Sequence, residues 1–290
     1  MKNVILFEEQ GFCFGVSRSI EIVKNILRDE STPRPIYLLG SLVHNKRVND
    51  FFKLKGVNVL NDGSRYDMLD QIEYGTVIIT AHGASEKVIA KACEKGLNIV
   101  DATCPYVTKT VENIKNKINE GYQLAYIGKK NHPETETIMD DIPNAIIIEE
   151  NIELPKLTKE KYILAHQTTL SEYDVKHTLD RVLEKYKNVE LLKQICMFPE
   201  KRQKEIREYI FPKTNNLAIV VGDKKSNNST KLKELLLRKR MGDVVMLNSL
   251  GELKKINLDE YENIFIASGT STPISLVKNI YNKIIGVKNE

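Results

Sequence analysis

The sequence predicts an α/β protein of three similar lobes with mainly parallel sheets, in a pseudo-threefold arrangement around one central site. Three cysteines are spaced almost evenly, since Cys104 lies 91 residues after Cys13 and 92 residues before Cys196. Apolar residues follow each cysteine at the tenth and fourteenth positions, which is the spacing of the buried stripe of a helix. These pairs are Val23 and Leu27, Ile114 and Ile118, and Ile206 and Ile210. Each third of the chain is therefore expected to begin with a strand, a cysteine and a helix.

Each third also contains two further predicted strands. One apolar run ends in glycine, at residues 36–40, 124–128 and 217–222, and a later run ends in alanine, at residues 77–81, 162–165 and 264–267. Strands that alternate with helices form parallel sheets with right-handed crossovers. Ligands of such sheets bind beyond the carboxyl ends of the strands. The residues that follow these runs are therefore candidates for a shared site.

Domain boundaries are expected near the three cysteines, because each cysteine is predicted to close a strand. The expected lobes are residues 14–103, residues 104–195 and residues 196–290. A strand predicted within residues 1–13 would complete the third lobe, so that both termini belong to it.

Polar side chains stand at matching positions after the predicted strands. Five of them can form hydrogen bonds without adding a carboxylate, namely His44, His82, Ser226, Asn228 and Ser271. Such a set suits a phosphate or diphosphate group. Each residue alone is also compatible with an ordinary loop position, and it is the matched placement that favours a ligand site.

Three further residues at these positions could act on a substrate. Glu134 is the only acid within the matched motifs, so it could be a general acid whose pKa is tuned by His132. The alternative for Glu134 is an ordinary acid in the first turn of a helix. Thr168 could orient a substrate hydroxyl, or it could be a turn residue.

The composition narrows the class of protein. The chain has 290 residues, a net charge of +4 and no tryptophan, and its basic cluster at residues 238–240 fits the solvated face of a helix. Nucleic-acid binding therefore finds no support. The first ten residues contain one short apolar run before two glutamates, and no later run reaches the length of a membrane span. A cytoplasmic protein without a membrane segment is expected.

Four cysteines in such a chain indicate metal binding or catalysis rather than disulfides. Cys93 lies in an amphipathic helical pattern and is expected to be a small buried side chain without a metal role. Cys13, Cys104 and Cys196 would form a central cluster site, in which an iron–sulfur cube held by three thiolates keeps one iron open. A zinc site would need a histidine as fourth ligand, and the paired C-x2-C spacing is absent. Three unrelated buried cysteines are the remaining alternative.

Eight short motifs occur in order along almost the whole chain. They are GFCFGV at Cys13, LVHNKRV at His44, AHG at His82, DATCPYVTK at Cys104, NHPETE at Glu134, QTTLS at Thr168, Ser226-x-Asn228, and GTSTP at Ser271. Together they resemble the 4-hydroxy-3-methylbut-2-enyl diphosphate reductase family. The resemblance implies a 4Fe–4S cluster held by Cys13, Cys104 and Cys196, with the fourth iron open to the substrate hydroxyl.

The reaction implied by the resemblance is a reductive dehydroxylation, the last step of the methylerythritol phosphate (non-mevalonate) route to isoprenoids. Two electrons and two protons remove the allylic hydroxyl as water and leave isopentenyl and dimethylallyl diphosphates. By analogy, Glu134 would provide the proton path, and His132 and Thr168 would assist it and contact the substrate. The five donors described above would hold the diphosphate, and ferredoxin or flavodoxin would supply the electrons.

Two other functions stay open on the residues alone. A hydro-lyase could use the same open iron without redox chemistry, but it would need a carboxylate-binding arginine cluster, and no arginine occupies the matched positions. A zinc-stabilised scaffold or binding module is the non-enzymatic alternative. The chain departs from the family pattern in residues 197–201 after the third cysteine, and at Asn227, His166 and Ile274.

Overall fold

The computed structural model describes residues 2–150, 152–157, 160–193 and 195–286, in which a helix follows most of the strands. The first elements are β1 (Asn3–Leu6), α1 (Phe14–Arg28), β2 (Ile36–Leu39), α2 (Lys46–Leu54), β3 (Val57–Leu60), α3 (Arg65–Met68), β4 (Thr76–Ile79), α4 (Glu86–Glu94) and β5 (Asn98–Asp101). The next are α5 (Pro105–Asn119), β6 (Gln123–Ile127), α6 (Pro133–Asp141), β7 (Ile146–Ile148), β8 (Tyr162–His166), α7 (Glu172–Lys185) and β9 (Val189–Leu191). The last are α8 (Phe198–Glu208), β10 (Asn216–Val221), α9 (Asn227–Arg238), β11 (Asp243–Leu247), α10 (Leu250–Leu253), β12 (Asn263–Ser268) and α11 (Ile274–Ile285).

Three four-stranded sheets share one strand order. The orders are β3-β2-β4-β5, β7-β6-β8-β9 and β11-β10-β12-β1, and all neighbouring strands are parallel. In the third sheet, β1 takes the place that β5 and β9 hold in the other two, and its register with β12 runs from Asn3↔Asn263 to Leu6↔Ile266. The α/β class, the parallel sheets and the three similar lobes are thereby confirmed.

The chain divides into two compact units. One comprises Met1–Val16, His44–Val48 and Phe198–Glu290 and contains the third sheet, and the other comprises Ser17–Val43 and Asn49–Met197 and contains the first two. The lobe boundaries expected at the cysteines stay a prediction. Within the described ranges, every helix is too short or too polar to cross a membrane.

The second and third sheets are buried on both faces, as parallel sheets usually are. Along β10, Leu217, Ile219 and Val221 join one apolar cluster, whereas Ala218 and Val220 join another. This alternation follows from the strand geometry, in which successive side chains point to opposite faces. Helices therefore cover the faces, and the loops beyond the strand ends are left for polar side chains.

The cysteines lie at the starts of helices rather than at the ends of strands. A loop separates each from the preceding strand, because β1 ends seven residues before Cys13, β5 three residues before Cys104 and β9 five residues before Cys196. The prediction that each cysteine closes a strand is therefore wrong. Near Cys104 the cause is local, since the Asp101 carboxylate accepts the N–H of Thr103 at 2.8 Å. Such a side-chain bond competes with the strand ladder.

Two side chains predicted to be buried are exposed. Ile210 lies beyond the end of α8, so it cannot continue the helical stripe that contains Ile206. Cys93 follows Ala92 on α4, where Val88 and Ala92 form the buried stripe. Because successive helical residues are rotated by about 100°, the Cys93 side chain leaves this stripe for the solvent side.

Candidate active site

Cys104 and His82 lie in adjacent backbone segments beyond the neighbouring strands β4 and β5. The N–H of Cys104 donates to the carbonyl of Ala81 at 3.0 Å, directly before His82. Gly83 permits this close approach, because its φ is +78° and a Cβ there would lie 3.3 Å from Cγ2 of Thr103. The strand ends therefore bring together a candidate metal ligand and a candidate phosphate donor.

Cys104 is also the N-cap residue of α5. Its dihedral angles are extended, and its carbonyl accepts the N–H groups of Val107 at 2.9 Å and Thr108 at 3.1 Å. The amino end of a helix carries a partial positive charge, which favours a thiolate over a thiol. This position therefore suits a cysteine that binds a metal.

Glu134 is a buried carboxyl group held by three hydrogen bonds. It lies in the first turn of α6 and is only 2% exposed. Its Oε1 accepts the N–H of Thr168 at 2.8 Å and the hydroxyl of Tyr126 at 3.0 Å, and its Oε2 accepts the hydroxyl of Thr168 at 2.8 Å. Burial raises the pKa of Glu134, and the hydrogen bonds from Thr168 and Tyr126 partly oppose this effect. The carboxyl thus keeps its proton to a higher pH than an exposed glutamate.

His132 lies between the backbone turn that carries Glu134 and the ring of His82. It is the N-cap residue of α6, and its Nδ1 accepts the N–H of Glu134 at 3.2 Å. An accepting Nδ1 carries no proton, so the proton of the neutral ring lies on Nε2. The ring packs edge-on against His82, with the ring centroids 4.8 Å apart and the planes at 80°. His82, His132, Glu134 and Thr168 therefore form one polar cluster.

Arg65 ties two strand ends to the turn that carries Glu134. The side chain is 8% exposed and donates to the carbonyl at the end of β2 at 3.3 Å, to Oγ1 of Thr80 at 3.1 Å and to the carbonyl of Pro133 at 3.3 Å. Burial lowers the pKa of the guanidinium to about 10, so it stays cationic at neutral pH. Through these hydrogen bonds, Arg65 holds Thr80, two residues before His82, near Pro133, the residue before Glu134.

In the other compact unit, Cys13 lies beside the end of β12. Its N–H donates to the carbonyl of Thr270 at 3.0 Å. Arg202 on α8 is buried and donates to the carbonyls of Gly11 at 2.7 Å and Ser268 at 2.5 Å. Burial raises the pKa of the Cys13 thiol, whereas backbone hydrogen bonds and the charge of Arg202 lower it. The guanidinium therefore offers charge compensation to a thiolate at Cys13.

Four of the predicted diphosphate donors occur in this same unit. The hydroxyl of Ser271 lies 3.2 Å from Oγ of Ser226 and 3.3 Å from the carbonyl of His44. Ser226 is the N-cap residue of α9, and Asn228 lies in the first turn of that helix. Ser226, Asn228 and Ser271 are all buried. The polar groups thus collect at the carboxyl ends of β10 and β12, where a parallel sheet places its ligands.

Cys196 is half-buried and lies two residues before α8, in the same unit as Cys104. The unusual residues that follow it form the start of that helix. Pro199 is in the first turn, where a missing N–H leaves no intrahelical bond unmade. The departure from the family pattern therefore does not disrupt the helix.

Sequence reasoning missed three buried polar groups in these sites. In the sequence, Tyr126 looks like another apolar residue of a buried strand. The one feature that could have indicated a role in the site is its position two residues before the glycine that ends the run. Arg65 follows Ser64, which has the pattern of a helix cap, and nothing in the sequence connects it to Glu134. Arg202 belongs to the family pattern after the third cysteine, but the pattern alone does not reveal its contacts.

Comparison with known proteins agrees with the motifs. The family model of the LytB protein matches residues 4–285. The 4-hydroxy-3-methylbut-2-enyl diphosphate reductase of Bacillus licheniformis is 42% identical over 281 residues, covering 96% of this chain and 89% of the relative. The reductase of the same name from Bacillus pumilus is 41% identical with the same coverage.

Two solved structures have the same fold. The E-1-hydroxy-2-methyl-but-2-enyl-4-diphosphate reductase of Plasmodium falciparum is similar with a TM-score of 0.84 and 28% identity, covering 97% of this chain and 87% of that one. A second structure, described as (E)-4-hydroxy-3-methyl-but-2-enyl diphosphate reductase and as the terminal enzyme of the non-mevalonate pathway, gives a TM-score of 0.68 and 26% identity over 99% of this chain and 100% of that one. The resemblance in the motifs is confirmed, and the chain belongs to the LytB protein family.

Proposed function

We propose that this chain is a reductase of 4-hydroxy-3-methylbut-2-enyl diphosphate and acts last in the non-mevalonate route to isoprenoids. The observation that carries the proposal is the buried Glu134. Its carboxyl accepts a hydrogen bond from the Thr168 hydroxyl, and His132 caps the helix on which it lies. A reaction that removes a hydroxyl as water needs an acid that holds its proton until the carbon–oxygen bond breaks. The names of the relatives and of the similar structures support the substrate.

In the proposed reaction the bond between the allylic carbon and its hydroxyl oxygen breaks. Two electrons enter, one proton joins the departing hydroxyl to make water, and a second proton adds to the carbon skeleton. The first proton would come from Glu134 through Thr168, because Oγ1 of Thr168 lies 2.8 Å from Oε2 of the carboxyl. His132 would hold the turn and contact the substrate with its Nε2 side.

Cys13, Cys104 and Cys196 would hold a 4Fe–4S cluster with one iron open. The donor set fits such a cluster, since three thiols recur at nearly even spacing and each lies one or two residues before a helix. Cys104 caps α5, and the positive end of that helix favours a thiolate there. At Cys13 burial raises the thiol pKa, and the charge of the Arg202 guanidinium opposes this effect. When bound, the cluster supplies electrons and a Lewis-acidic iron. Ferredoxin or flavodoxin would deliver the electrons in a reducing cytoplasm, where thiols remain available.

The diphosphate would be held by His44, His82, Ser226, Asn228 and Ser271. We expect His82→Ala and Ser271→Ala each to weaken pyrophosphate binding by roughly ten- to a hundredfold, because a charge-assisted hydrogen bond contributes about 1.5–3 kcal/mol. Calorimetric titration with pyrophosphate measures this, and the visible spectrum of the cluster should stay unchanged. The matched control is His177→Ala, since His177 is exposed on α7. Normal pyrophosphate affinity in both variants would show that these donors do not hold the diphosphate.

The function itself is tested by turnover. Protein purified without oxygen should be brown, contain iron and sulfide, and convert the substrate with a low-potential artificial reductant into isopentenyl and dimethylallyl diphosphates. A colourless protein that contains zinc would favour the scaffold, and addition or removal of water without electron uptake would favour a hydro-lyase. Either result would refute the proposal.

A further inference from the structure

We propose that Tyr126 is a positioning residue that directs the acidic proton of Glu134 to Oε2, the oxygen that faces the Thr168 hydroxyl. Only the expected effect of Tyr126 on turnover rests on the proposed function. The placement of the proton follows from the hydrogen bonds around the carboxyl.

The two oxygens of Glu134 have different surroundings. Oε1 accepts two hydrogen bonds, from the backbone N–H of Thr168 and from the hydroxyl of Tyr126. Within the part of the chain that the structure describes, Oε2 accepts one, from the side chain of Thr168. A backbone N–H can only donate, so it always disfavours a proton on Oε1. A threonine hydroxyl can donate or accept, so it can reverse its role and take a proton from Oε2.

Tyr126 cannot easily reverse its own hydrogen bond. If Oε1 carried the proton, the phenol oxygen would have to accept it and turn its own O–H elsewhere. Among the described residues, Glu134 is the only hydrogen-bond partner of this phenol, and the side chain is 0% exposed. A reversed hydroxyl would therefore be buried without an acceptor, which is unfavourable.

The ring of Tyr126 is also held in place. It packs in an apolar cluster with Leu124, Ile138 and Ala165. Gly128 makes room for it, because a Cβ at that position would lie 2.9 Å from Cε1 of the ring. The phenol hydroxyl is thus kept pointing at Oε1, and the proton is kept on the side of Thr168.

Other titratable and charged groups also face this turn. His132 lies two residues before Glu134, His82 packs on His132, Arg65 reaches the Pro133 carbonyl, and Glu136 lies two residues after Glu134 on α6. The change Tyr126→Phe touches none of them directly. A shift that this variant causes can therefore be assigned to Glu134.

The first test is an infrared measurement on the full-length chain. Difference spectra between acidic and alkaline pH should show the C=O stretch of a protonated carboxyl, assigned to Glu134 by its loss in Glu134→Gln. With the proton on Oε2, the C=O oxygen is Oε1, and removal of the Tyr126 donor should move the band to higher wavenumber. An unchanged band in Tyr126→Phe would overturn the proposal.

The second test is the pH dependence of turnover with the cluster-loaded protein. The Tyr126 hydrogen bond lowers the pKa of Glu134, so its loss should raise that pKa and move the alkaline limb of kcat to higher pH. We expect kcat on the plateau to fall by about tenfold, with KM changed little. This loss is smaller than the whole rate contribution of a general acid, because the acid itself remains. Unchanged kcat and an unchanged alkaline limb would also overturn the proposal.

Tyr162→Phe is the matched control. Tyr162 is likewise 0% exposed, but it begins β8, at the opposite end of that strand from Thr168. The Tyr162→Phe variant shows how much the loss of a buried phenol hydroxyl lowers the melting temperature. It should move neither the infrared band nor the alkaline limb of kcat. The infrared result does not depend on turnover, so a shifted band in a protein that lacks reductase activity would refute the proposed function and leave the placement of the proton supported.

Discussion

A Cys104→Ser variant is expected to lose the cluster and with it all turnover. One of three thiolates would be replaced by a hydroxyl, which is a poor ligand for iron at neutral pH. Serine is a favoured N-cap residue, so α5 should keep its cap and the chain its fold. Purified without oxygen, the variant should be colourless, with iron and sulfide contents reduced to a small fraction of those in the unmodified protein. Cys13→Ser and Cys196→Ser should behave in the same way.

The control for these variants is Cys93→Ala. Cys93 is exposed near the carboxyl end of α4, whereas each of the other three cysteines lies one or two residues before a helix. This variant should keep the brown colour and its iron. If Cys104→Ser contained as much iron as the unmodified protein, Cys104 would not be a ligand.

The second large effect is expected for Glu134→Gln. The amide oxygen can accept from Tyr126 and from the Thr168 N–H, and the amide nitrogen can donate to Oγ1 of Thr168. The shape and the hydrogen bonds are retained, but the acid is gone. We expect normal cluster assembly, near-normal substrate binding and a loss of turnover of roughly 10²-fold or more, as is typical for general acid catalysis.

Stability should not account for that loss. Burial raises the pKa of Glu134 above its unfolded value, so an ionised carboxyl there costs free energy of folding as the pH rises above the unfolded pKa. Glutamine removes this cost, and the variant should melt no lower than the unmodified protein at neutral pH. Glu136→Gln, an exposed position on the same helix, is the matched control for turnover. A Glu134→Gln variant at full rate would mean that the proton takes another route, such as the diphosphate of the substrate.

The repeated pattern of the chain is what made the architecture predictable. Strand, helix and cysteine recur at nearly constant spacing, and runs of apolar residues identify strands that are buried on both faces. The same repeat placed His132, Glu134 and Thr168 after β6 and β8, and the carboxyl ends of these neighbouring parallel strands lie at one edge of the second sheet. It also placed His82 after β4, which belongs to the first sheet. The structure places these four residues in one cluster.

Element boundaries were less predictable than element order. The cysteines were expected at strand ends, but each follows a loop and lies one or two residues before a helix. Ile210 fits a helical period although α8 has already ended. Periodicity records which face of an element can be buried, whereas the end of an element depends on caps and turns such as the one at Asp101.

The sequence by itself determined the class of fold and the family and singled out Glu134 as the candidate acid, because these depend on periodic patterns and motifs within short segments. Only the tertiary structure decided that Tyr126 meets Oε1 of Glu134, that Arg65 reaches the Pro133 carbonyl, and that Arg202 lies beside Cys13. The physical reason is that a hydrogen bond between elements depends on register and rotamer in three dimensions. A buried tyrosine and a buried phenylalanine give the same apolar pattern along a strand, and only the folded chain shows where the hydroxyl points.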